Sequence, residues 1–305
     1  MRIAIVGSGG VGGYFGGRLA AAGADVTFLA RGAHLEAMRA RGLRITSPKG
    51  DVHLPRVKAE SDPARVGPSD VVFFAVKLYD TDGALAMLPP LIGPDTVVIG
   101  FQNGVETMGT LTRAIGASHT AGGVSYVSAV IAEPGVIKHT AMDHLIFGEQ
   151  DGSRSPRLER LLEACRPAGF QSTLSDRITV EIWTKFVRLS VFSGMTAVTR
   201  GPIGVIVNDP ELLEMLKAAV RETLAVAHAK GVAVAGTIDE DVAAAYTALP
   251  PQAKASMLED LERGRRIELP WLSGAVVRLG REAGVPTPIH GFINAVLKPY
   301  VNGRM

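Results

Sequence analysis

The amino-terminal 23 residues impose the strongest constraint on the fold. A short apolar strand, Arg2–Val6, runs directly into a glycine-rich turn, and a helix of small residues follows it. A G-x-G-x-x-G turn in this strand–turn–helix setting is the fingerprint of a dinucleotide-binding fold, in which the glycines permit a tight turn, a close pyrophosphate and close helix packing. The N–H groups and the positive dipole end of the helix then face the phosphates. We therefore expect a dinucleotide to bind at Gly7, Ser8, Gly9, Gly10, Val11 and Gly12.

The residue after the second predicted strand bears on the choice of cofactor. That strand covers Asp25–Ala30, and Arg31 follows it. NAD-binding folds usually carry an acidic residue here for the ribose 2′-hydroxyl, whereas an arginine suits the 2′-phosphate of NADP. Arg31 therefore favours NADPH, and the alternative is an arginine solvated in a surface loop.

The first half of the sequence alternates between strands and helices. Such alternation predicts an α/β fold with a doubly wound sheet, and the apolar run in Asp70–Val76 is typical of a buried parallel strand. Residues Thr120–Phe147 are instead rich in strand formers around a Glu133-Pro134-Gly135 turn, which predicts a hairpin-like extension at the edge of the sheet. The other predicted elements are the strands Thr96–Gly100 and Phe170–Leu174 and the helices Val11–Ala22, Ala33–Ala40, Thr81–Leu88 and Val105–Ile115.

From about Ile178 onward, the pattern predicts helices almost exclusively. We place the boundary near Leu174–Asp176, which gives a Rossmann-type dinucleotide-binding domain over residues 1–175 and an all-helical substrate and dimerisation domain over residues 176–305. Because ligands of such sheets bind outside the carboxyl ends of the strands, the second domain is expected to close a cleft over the cofactor. Its predicted helices are Glu211–Lys230, Ile238–Ala248, Ala253–Arg263, Trp271–Ala283 and Gly291–Leu297.

Composition argues against several functional classes. The 305 residues carry a formal net charge of only +2, so we expect no nucleic-acid partner. No apolar stretch approaches the roughly 18 residues of a membrane helix, and the first strand begins directly after Met1, which leaves no room for a signal peptide. The single cysteine, Cys165, excludes an intrachain disulfide, and the seven histidines show no metal-ligand spacing. We expect a cytoplasmic protein that binds no metal.

Lys185 is the main candidate for acid–base chemistry. With a nicotinamide cofactor carrying the hydride, the protein must orient a carbonyl or alcohol and move one proton, a task suited to His, Lys or Tyr. Trp183 and Phe186 flank Lys185, and partial desolvation between them would lower its pKa toward a useful range. The alternative is a solvated ion pair, because Glu181 precedes Lys185 by four residues in the favourable order.

Other polar residues follow predicted elements without revealing their roles. Lys77 ends the most hydrophobic strand, at the edge where cofactor-binding loops emerge, and Asn103 follows the next strand. Asn103 is either a hydrogen-bond partner of the nicotinamide or substrate, or part of a simple Asn-Gly turn. Ser256 and Glu268 lie in or just after a predicted helix, where they suit surface groups equally well.

Taken together, these residues resemble the ketopantoate reductase (2-dehydropantoate 2-reductase) family over nearly the whole chain. Members reduce a 2-keto acid with NADPH, so the resemblance implies an NADP-dependent oxidoreductase of pantothenate biosynthesis that acts on a CH–OH group. The residues that carry the resemblance are Gly7–Gly12, Arg31, Lys77, Gln102-Asn103-Gly104, Trp183, Lys185, Ser256-Met257-Leu258, Asp260 and Glu268.

The resemblance also implies a role for each matching residue. Lys185 resembles the catalytic general acid that protonates the developing alkoxide, and Glu268 resembles the catalytic-site ligand of the nicotinamide ribose and of the substrate's hydroxyl region. Ser256 resembles a donor to the substrate carboxylate. Asn103 resembles the residue beside the nicotinamide and the lysine, where it also meets the substrate. The matches that resemble further cofactor contacts are Arg31 and Lys77.

Three positions depart from the family pattern. The family's substrate pocket carries asparagines where this chain has Leu189, Ser193 and Ile203, and a site without such partners discriminates less well for a polar substrate.

Three functions stay open: a ketopantoate reductase, a related 2-ketoacid reductase (in reverse, a 2-hydroxyacid dehydrogenase) for a more apolar acid, and a non-catalytic NADPH-binding sensor. In the second case Arg188 would help to hold a carboxylate, although a surface arginine is the favoured interpretation. The mean hydropathy of +0.20 is compatible with a homodimer through the helical domain.

Overall fold

The strands of the first half build one mixed sheet. The computed structural model describes residues 1–235 and 238–304, and of Ile238 only the backbone. The strands are β1 (Arg2–Val6), β2 (Asp25–Leu29), β3 (Leu43–Thr46), β4 (Val52–Leu54), β5 (Lys58–Glu60), β6 (Val71–Phe74), β7 (Val97–Gly100), β8 (Thr120–Glu133), β9 (Val136–Glu149) and β10 (Gln171–Leu174). Their order in the sheet is β4-β3-β9-β8-β7-β6-β1-β2-β5, with β10 also paired to β9.

The centre of the sheet is parallel and buried. β1 pairs with β2 and β6, β6 pairs with β7, and β7 pairs with β8, each in parallel. Every residue of β6 and β7 is buried, as continuous apolar runs predict. Because these strands share one direction, the segments that follow β1, β2 and β6 emerge at the same edge of the sheet. That edge carries the glycine turn, Arg31 and Lys77.

The long hairpin lies inside the sheet, so its predicted position at the edge was wrong. β8 and β9 pair antiparallel around the Pro134-Gly135 turn, as expected. Beyond them, β3 pairs in parallel with β9, and β4 pairs with β3. The two outer strands span only four and three residues, and strands this short leave too little alternation for a sequence pattern to reveal.

The helices of the first half connect these strands. Four of them occur where the sequence predicted a helix, with ends shifted by up to three residues, and the fifth ends at Cys165. Burial raises the pKa of the Cys165 thiol to about 12, so this side chain packs as a small hydrophobic group and is unreactive. The helices are α1 (Gly10–Ala21), α2 (Gly32–Arg41), α3 (Thr81–Leu85), α4 (Thr107–Ile115) and α5 (Pro156–Cys165).

The chain divides into two compact units. The first comprises residues 1–102 and 106–179, and the second comprises Asn103–Val105 together with the chain from Val180 onward. The predicted boundary at residues 175 and 176 lies between β10 and the next helix, and the domain assignment stays a prediction. In its described part, the second unit contains only helical elements: α6 (Ile178–Thr199), α7 (Ile203–Val207), α8 (Pro210–Ala229), α9 (Ile238–Thr247), α10 (Ser256–Glu262), α11 (Ser273–Ala283), α12 (Pro288–Leu297) and two short 3₁₀ turns.

These elements confirm the predicted fold class, an α/β chain with a Rossmann-type sheet followed by a helical region. Across residues 1–235 and 238–304, no helix is both long enough and apolar enough to cross a membrane. In the same ranges, no group of three or more His, Cys, Asp or Glu residues is placed to hold a metal ion.

Candidate active site

The glycine turn joins β1 to α1 through main-chain geometry that side chains would prevent. Gly7 has a φ of +98°, a left-handed conformation that glycine adopts without steric cost. A Cβ atom on Gly12 would overlap the carbonyl oxygen of Gly7, and one on Gly10 would overlap that of Ala129 in β8. At Gly9, by contrast, a Cβ atom would meet nothing within 4 Å. The space beside Gly9 is therefore open to a ligand that approaches the backbone.

The first turn of α1 fits a phosphate group. Gly9 is the N-terminal cap and makes no side-chain capping bond, so no capping side chain satisfies the first N–H groups of the helix. Those N–H groups and the positive end of the helix dipole favour an anion. With the open space beside Gly9, this donor set fits the pyrophosphate of a dinucleotide, which the main chain of Gly9, Gly10 and Val11 would hold.

Two side chains fix the turn from the protein side. Ser8 Oγ donates a 2.9 Å hydrogen bond to the Leu29 carbonyl, so the hydroxyl is engaged within the protein and Ser8 offers a ligand its main chain. His34 Nε2 lies 3.0 Å from the Ser8 carbonyl oxygen, and its Nδ1 accepts a 3.1 Å bond from the N–H of Gly135. Burial lowers the pKa of His34, which keeps the ring neutral with its proton on Nε2. No sequence pattern around His34 signals this contact.

Arg31 lies two residues after the end of β2 and is the N-terminal cap residue of α2. Its side chain is 82% exposed, and Nη2 forms a 2.8 Å ion pair with Asp80 Oδ2. An exposed pair of this kind contributes roughly 0–1 kcal/mol, so the guanidinium can exchange Asp80 for a stronger anion. Lys77 is exposed three residues after the end of β6. Both cations therefore suit a ligand at the edge that carries the glycine turn.

Gln102 fixes the segment that follows β7. Its Nε2 donates to the Val76 carbonyl at 3.0 Å and to Thr81 Oγ1 at 2.9 Å, while its Oε1 accepts a 3.0 Å bond from Thr107 Oγ1. Gln102 thereby ties the segments after β6 and β7 together and fixes the chain immediately before Asn103.

Three of the predicted catalytic and binding residues form one hydrogen-bonded row in the second unit. Lys185 Nζ, on α6, donates a 3.0 Å bond to Asn103 Oδ1, and Asn103 Nδ2 donates a 3.1 Å bond to Glu268 Oε2. Glu268 is only 6% exposed and caps the short turn Leu269–Trp271. The row fixes the Asn103 amide, because its oxygen faces the lysine and its nitrogen faces the carboxylate.

The buried environment of Lys185 lowers its pKa into a range that suits proton transfer. Burial lowers the pKa of Lys185 from its ordinary 10.5 to about 8, and the negative charge of Glu268 partly opposes this shift. Trp183 and Phe186 are both buried and pack edge to face, with ring centroids 5.6 Å apart. An ammonium group with this pKa is protonated at neutral pH and gives up its proton far more readily than a solvated lysine.

Ser256 is not part of this row. It is the exposed first residue of α10. Within the described ranges, no hydrogen bond joins it to Lys185, Asn103 or Glu268. A contact between Ser256 and a substrate carboxylate stays a prediction.

The three positions that depart from the family pattern lie in different environments. Ser193 and Ile203 are fully buried among the helices, whereas Leu189 is half-buried against the core. Ser193 Oγ has no hydrogen-bond partner in the described part of the chain. Of these three side chains, only Leu189 has surface that a substrate can contact.

The structure corrects the interpretation of Arg188 as a surface arginine. Arg188 is half-buried, and its Nε atom is fully buried without a hydrogen-bond partner among the described residues. The hydroxyl of Tyr246 donates a 2.6 Å bond to the Arg188 carbonyl. Sequence spacing shows only that Arg188 follows Lys185 by three residues, so its burial could not be predicted.

Comparisons with known proteins cover almost the whole chain. Residues 3–152 match the family described as "Ketopantoate reductase PanE/ApbA", and residues 177–301 match "Ketopantoate reductase PanE/ApbA C terminal". The 2-dehydropantoate 2-reductase of Mesorhizobium japonicum is 34% identical, with 97% of this chain and 96% of the relative covered. Solved structures agree: the PanE/ApbA family ketopantoate reductase of Ralstonia eutropha has a TM-score of 0.90 at 31% identity, with 99% of this chain and 98% of that chain covered.

More distant structures share the fold. D-mandelate dehydrogenase, solved with NADH and anilino(oxo)acetate, has a TM-score of 0.88 at 20% identity over 99% of this chain and 98% of its own. The dimeric ketopantoate reductase of Staphylococcus aureus has a TM-score of 0.79 at 20% identity over 99% of both chains. The family assignment rests on the two family matches and on the identity of 34% over 97% of the chain. This chain belongs to the ketopantoate reductase family.

Proposed function

We propose that the protein reduces ketopantoate (2-dehydropantoate) to pantoate with NADPH, as a step of pantothenate biosynthesis. The observation that carries this proposal is the row Lys185–Asn103–Glu268, in which a lysine with a pKa of about 8 donates a hydrogen bond to an amide that a buried carboxylate orients. Full-length similarity to 2-dehydropantoate 2-reductases supports the choice of substrate. No comparison favours a more apolar acid or a non-catalytic sensor.

The reduction adds a hydride to the keto carbon and a proton to the keto oxygen. A reduced nicotinamide cofactor supplies the hydride when bound. Lys185 Nζ donates the proton to the oxygen as negative charge develops there, and its lowered pKa makes this transfer easier. Asn103 Oδ1 accepts a hydrogen bond from Nζ and so fixes its direction, while Glu268 orients Asn103 and favours the charged form of the lysine.

Arg31 is the basis for proposing NADPH rather than NADH. The D-mandelate dehydrogenase structure contains NADH on the same fold, so the fold alone does not select between the two cofactors. Arg31 is 82% exposed at the end of β2, in a weak ion pair with Asp80. A 2′-phosphate carries more charge than one carboxylate and accepts paired N–H bonds from a guanidinium. We propose that Arg31, together with Lys77 at the same edge of the sheet, binds this phosphate.

We further propose a homodimer, by analogy with the dimeric ketopantoate reductase of Staphylococcus aureus. Light scattering of the purified protein tests this. A dimer doubles the chain mass of 32.1 kDa, and a mass equal to that of one chain would contradict the proposal.

The activity is tested with a panel of 2-keto acids. We expect ketopantoate to give the highest kcat/KM with NADPH, ahead of 2-oxoisovalerate, 2-oxoisocaproate and phenylpyruvate. Equal or faster reduction of the apolar acids would overturn the assignment of ketopantoate. If no acid causes oxidation of NADPH or NADH, while NADPH still binds, the protein is a cofactor sensor and the proposal fails.

A further inference from the structure

The side chain of Arg188 retains a charge that the described part of the chain leaves without a counter-ion. Its Nε is buried and has no hydrogen-bond partner, and none of the described carboxylates forms an ion pair with its guanidinium. Leaving a buried charged donor unsatisfied is costly. Lys185 reduces such a cost through a lowered pKa, but a guanidinium stays protonated in proteins. A half-buried arginine of this kind is therefore suited to an anion that arrives from solution.

Arg188 shares one face of α6 with Lys185. Residues three apart on an α-helix are neighbours on its surface. The opposite face is closed, because Phe186, Val187 and Val191 are buried. Lys185 and Arg188 are each only partly buried, so both side chains retain accessible surface on the same side of the helix.

The chemistry of a 2-keto acid matches this pair of neighbours. Its carboxylate is bonded directly to the keto carbon, so a residue that holds the carboxylate must lie beside the residue that protonates the keto oxygen. Lys185 and Arg188 meet this requirement by their spacing on α6. An arginine also binds a carboxylate through two parallel N–H···O bonds, which fixes the orientation of the substrate as well as its position.

The backbone at Arg188 is held by a neighbouring helix. Tyr246, on α9, donates its hydroxyl hydrogen to the Arg188 carbonyl at 2.6 Å. The Tyr246 ring stacks on Phe192, one turn further along α6, with centroids 5.2 Å apart. These contacts fix the main chain from which the Arg188 side chain extends.

We infer that Arg188 binds the carboxylate of the 2-keto acid substrate. This inference rests on the proposed function and extends it, because it assigns the substrate's negative charge to a residue outside the family pattern. Arg188 provides a polar contact that Leu189, Ser193 and Ile203 do not. The contact requires only a 2-keto carboxylate, so it favours substrates with a free acid group and leaves recognition of the rest of the substrate to other residues.

The test compares ketopantoate with ketopantoyl lactone, which keeps the keto group but has no free carboxylate. Arg188→Met preserves the length of the side chain and removes the charge. We expect kcat/KM for ketopantoate to fall on the order of 10- to 100-fold, mainly through KM, because a charge-assisted hydrogen-bond pair is lost. The lactone's kcat/KM and the NADPH dissociation constant should change less than about twofold. Arg281→Met, on the exposed surface of α11, is the matched control and should change neither substrate's kinetics.

Each outcome either supports or overturns the inference. If the wild type reduces ketopantoate and Arg188→Met leaves its KM within about twofold, the inference fails and the proposed function stands. An equal loss on acid and lactone would mean that the substitution disturbs the site in general, which also overturns it. If the wild type reduces no 2-keto acid, the proposed function fails and the inference fails with it. Should Arg188→Met not fold, Arg188→Lys applies: it keeps the charge without the paired donors, so a KM for ketopantoate raised several-fold supports the inference and an unchanged KM overturns it.

Discussion

The two predicted functional regions are built by opposite means. The Gly7–Gly12 turn offers a ligand main-chain N–H groups and empty space, and the Cβ positions at Gly10 and Gly12 are closed by neighbouring carbonyl groups. The row Lys185–Asn103–Glu268 offers side-chain charge and hydrogen bonds instead. The difference predicts how each region fails: the glycine turn is damaged by added atoms, and the row is damaged by removed functional groups.

Removal of the lysine amine should have the largest effect. In Lys185→Ala we expect kcat to fall about 10²- to 10⁴-fold, the usual contribution of a positioned general acid. The NADPH dissociation constant, measured by fluorescence titration, should stay within about twofold, because the phosphates bind elsewhere on the chain. Lys298→Ala, at an exposed position of the second unit, serves as the control. An unchanged kcat in Lys185→Ala would remove this residue from the mechanism.

Reversal of charge at Arg31 should have the next largest effect. In Arg31→Asp we expect the ratio of kcat/KM for NADPH to that for NADH to fall at least about tenfold, because a carboxylate repels the 2′-phosphate and accepts the 2′-hydroxyl of NADH. Asp80→Asn is the matched control: it breaks only an exposed ion pair with Arg31 and should change the ratio little. A ratio that is unchanged in Arg31→Asp would show that the cofactor's ribose lies away from the end of β2.

Addition of one methyl group tests the main-chain region at two glycines. At Gly12 the new Cβ would overlap the Gly7 carbonyl, so we expect the free energy of unfolding to drop by about 1–3 kcal/mol, with a lower Tm. At Gly9 the same atom meets nothing within 4 Å, so the Tm should not change, while NADPH affinity should fall about tenfold because the methyl group occupies the space for the pyrophosphate. Full NADPH affinity in Gly9→Ala would mean that the pyrophosphate does not approach this residue.

The two regions also differ in how far the sequence could predict them. The glycine turn was predictable because its geometry is encoded in six consecutive residues. The row depends on pairs that are 82 and 165 positions apart. Spacing alone could therefore identify Lys185, Asn103 and Glu268 as candidates but could not predict that they lie together. Only the family resemblance indicated that they share one site. Neither route revealed the buried Nε of Arg188, because burial is decided by packing rather than by local pattern.

In the fold, likewise, features that depend on a local sequence pattern were predictable, and features that depend on contacts between distant residues were not. The buried parallel strands were predictable because each lies in a continuous apolar run. Most helices were predictable because their apolar residues recur with a clear period. The short outer strands β3 and β4 were not, since their place in the sheet is decided by the pairing of β3 with β9 and of β4 with β3. The contact of His34 with Ser8 was equally unpredictable, because it depends on the packing of α2 close to the glycine turn.

The smallest predicted effect is the pH dependence of the reaction, which should arise from the row Lys185–Asn103–Glu268 and not from the glycine turn. Reduction needs the protonated form of Lys185, whose pKa is about 8, so kcat/KM for ketopantoate should be level below that pH and fall about tenfold per unit above it. The negative charge of Glu268 raises this pKa. Glu268→Gln should therefore move the falling limb to lower pH by a fraction of a unit, as well as lowering the rate.

The oxidation of pantoate should show the opposite pH trend, because it needs neutral Lys185 as a base. Between pH 7 and 10 the affinity for NADPH should stay nearly constant, since the main-chain N–H groups of the glycine turn carry no titratable proton in this range. A falling limb that moves to higher pH in Glu268→Gln would contradict the placement of its carboxylate beside the lysine. A rate without any pH dependence above 8 would mean that the proton comes from a group outside the row, and the contrast between a titrating side-chain region and a non-titrating main-chain region would fail.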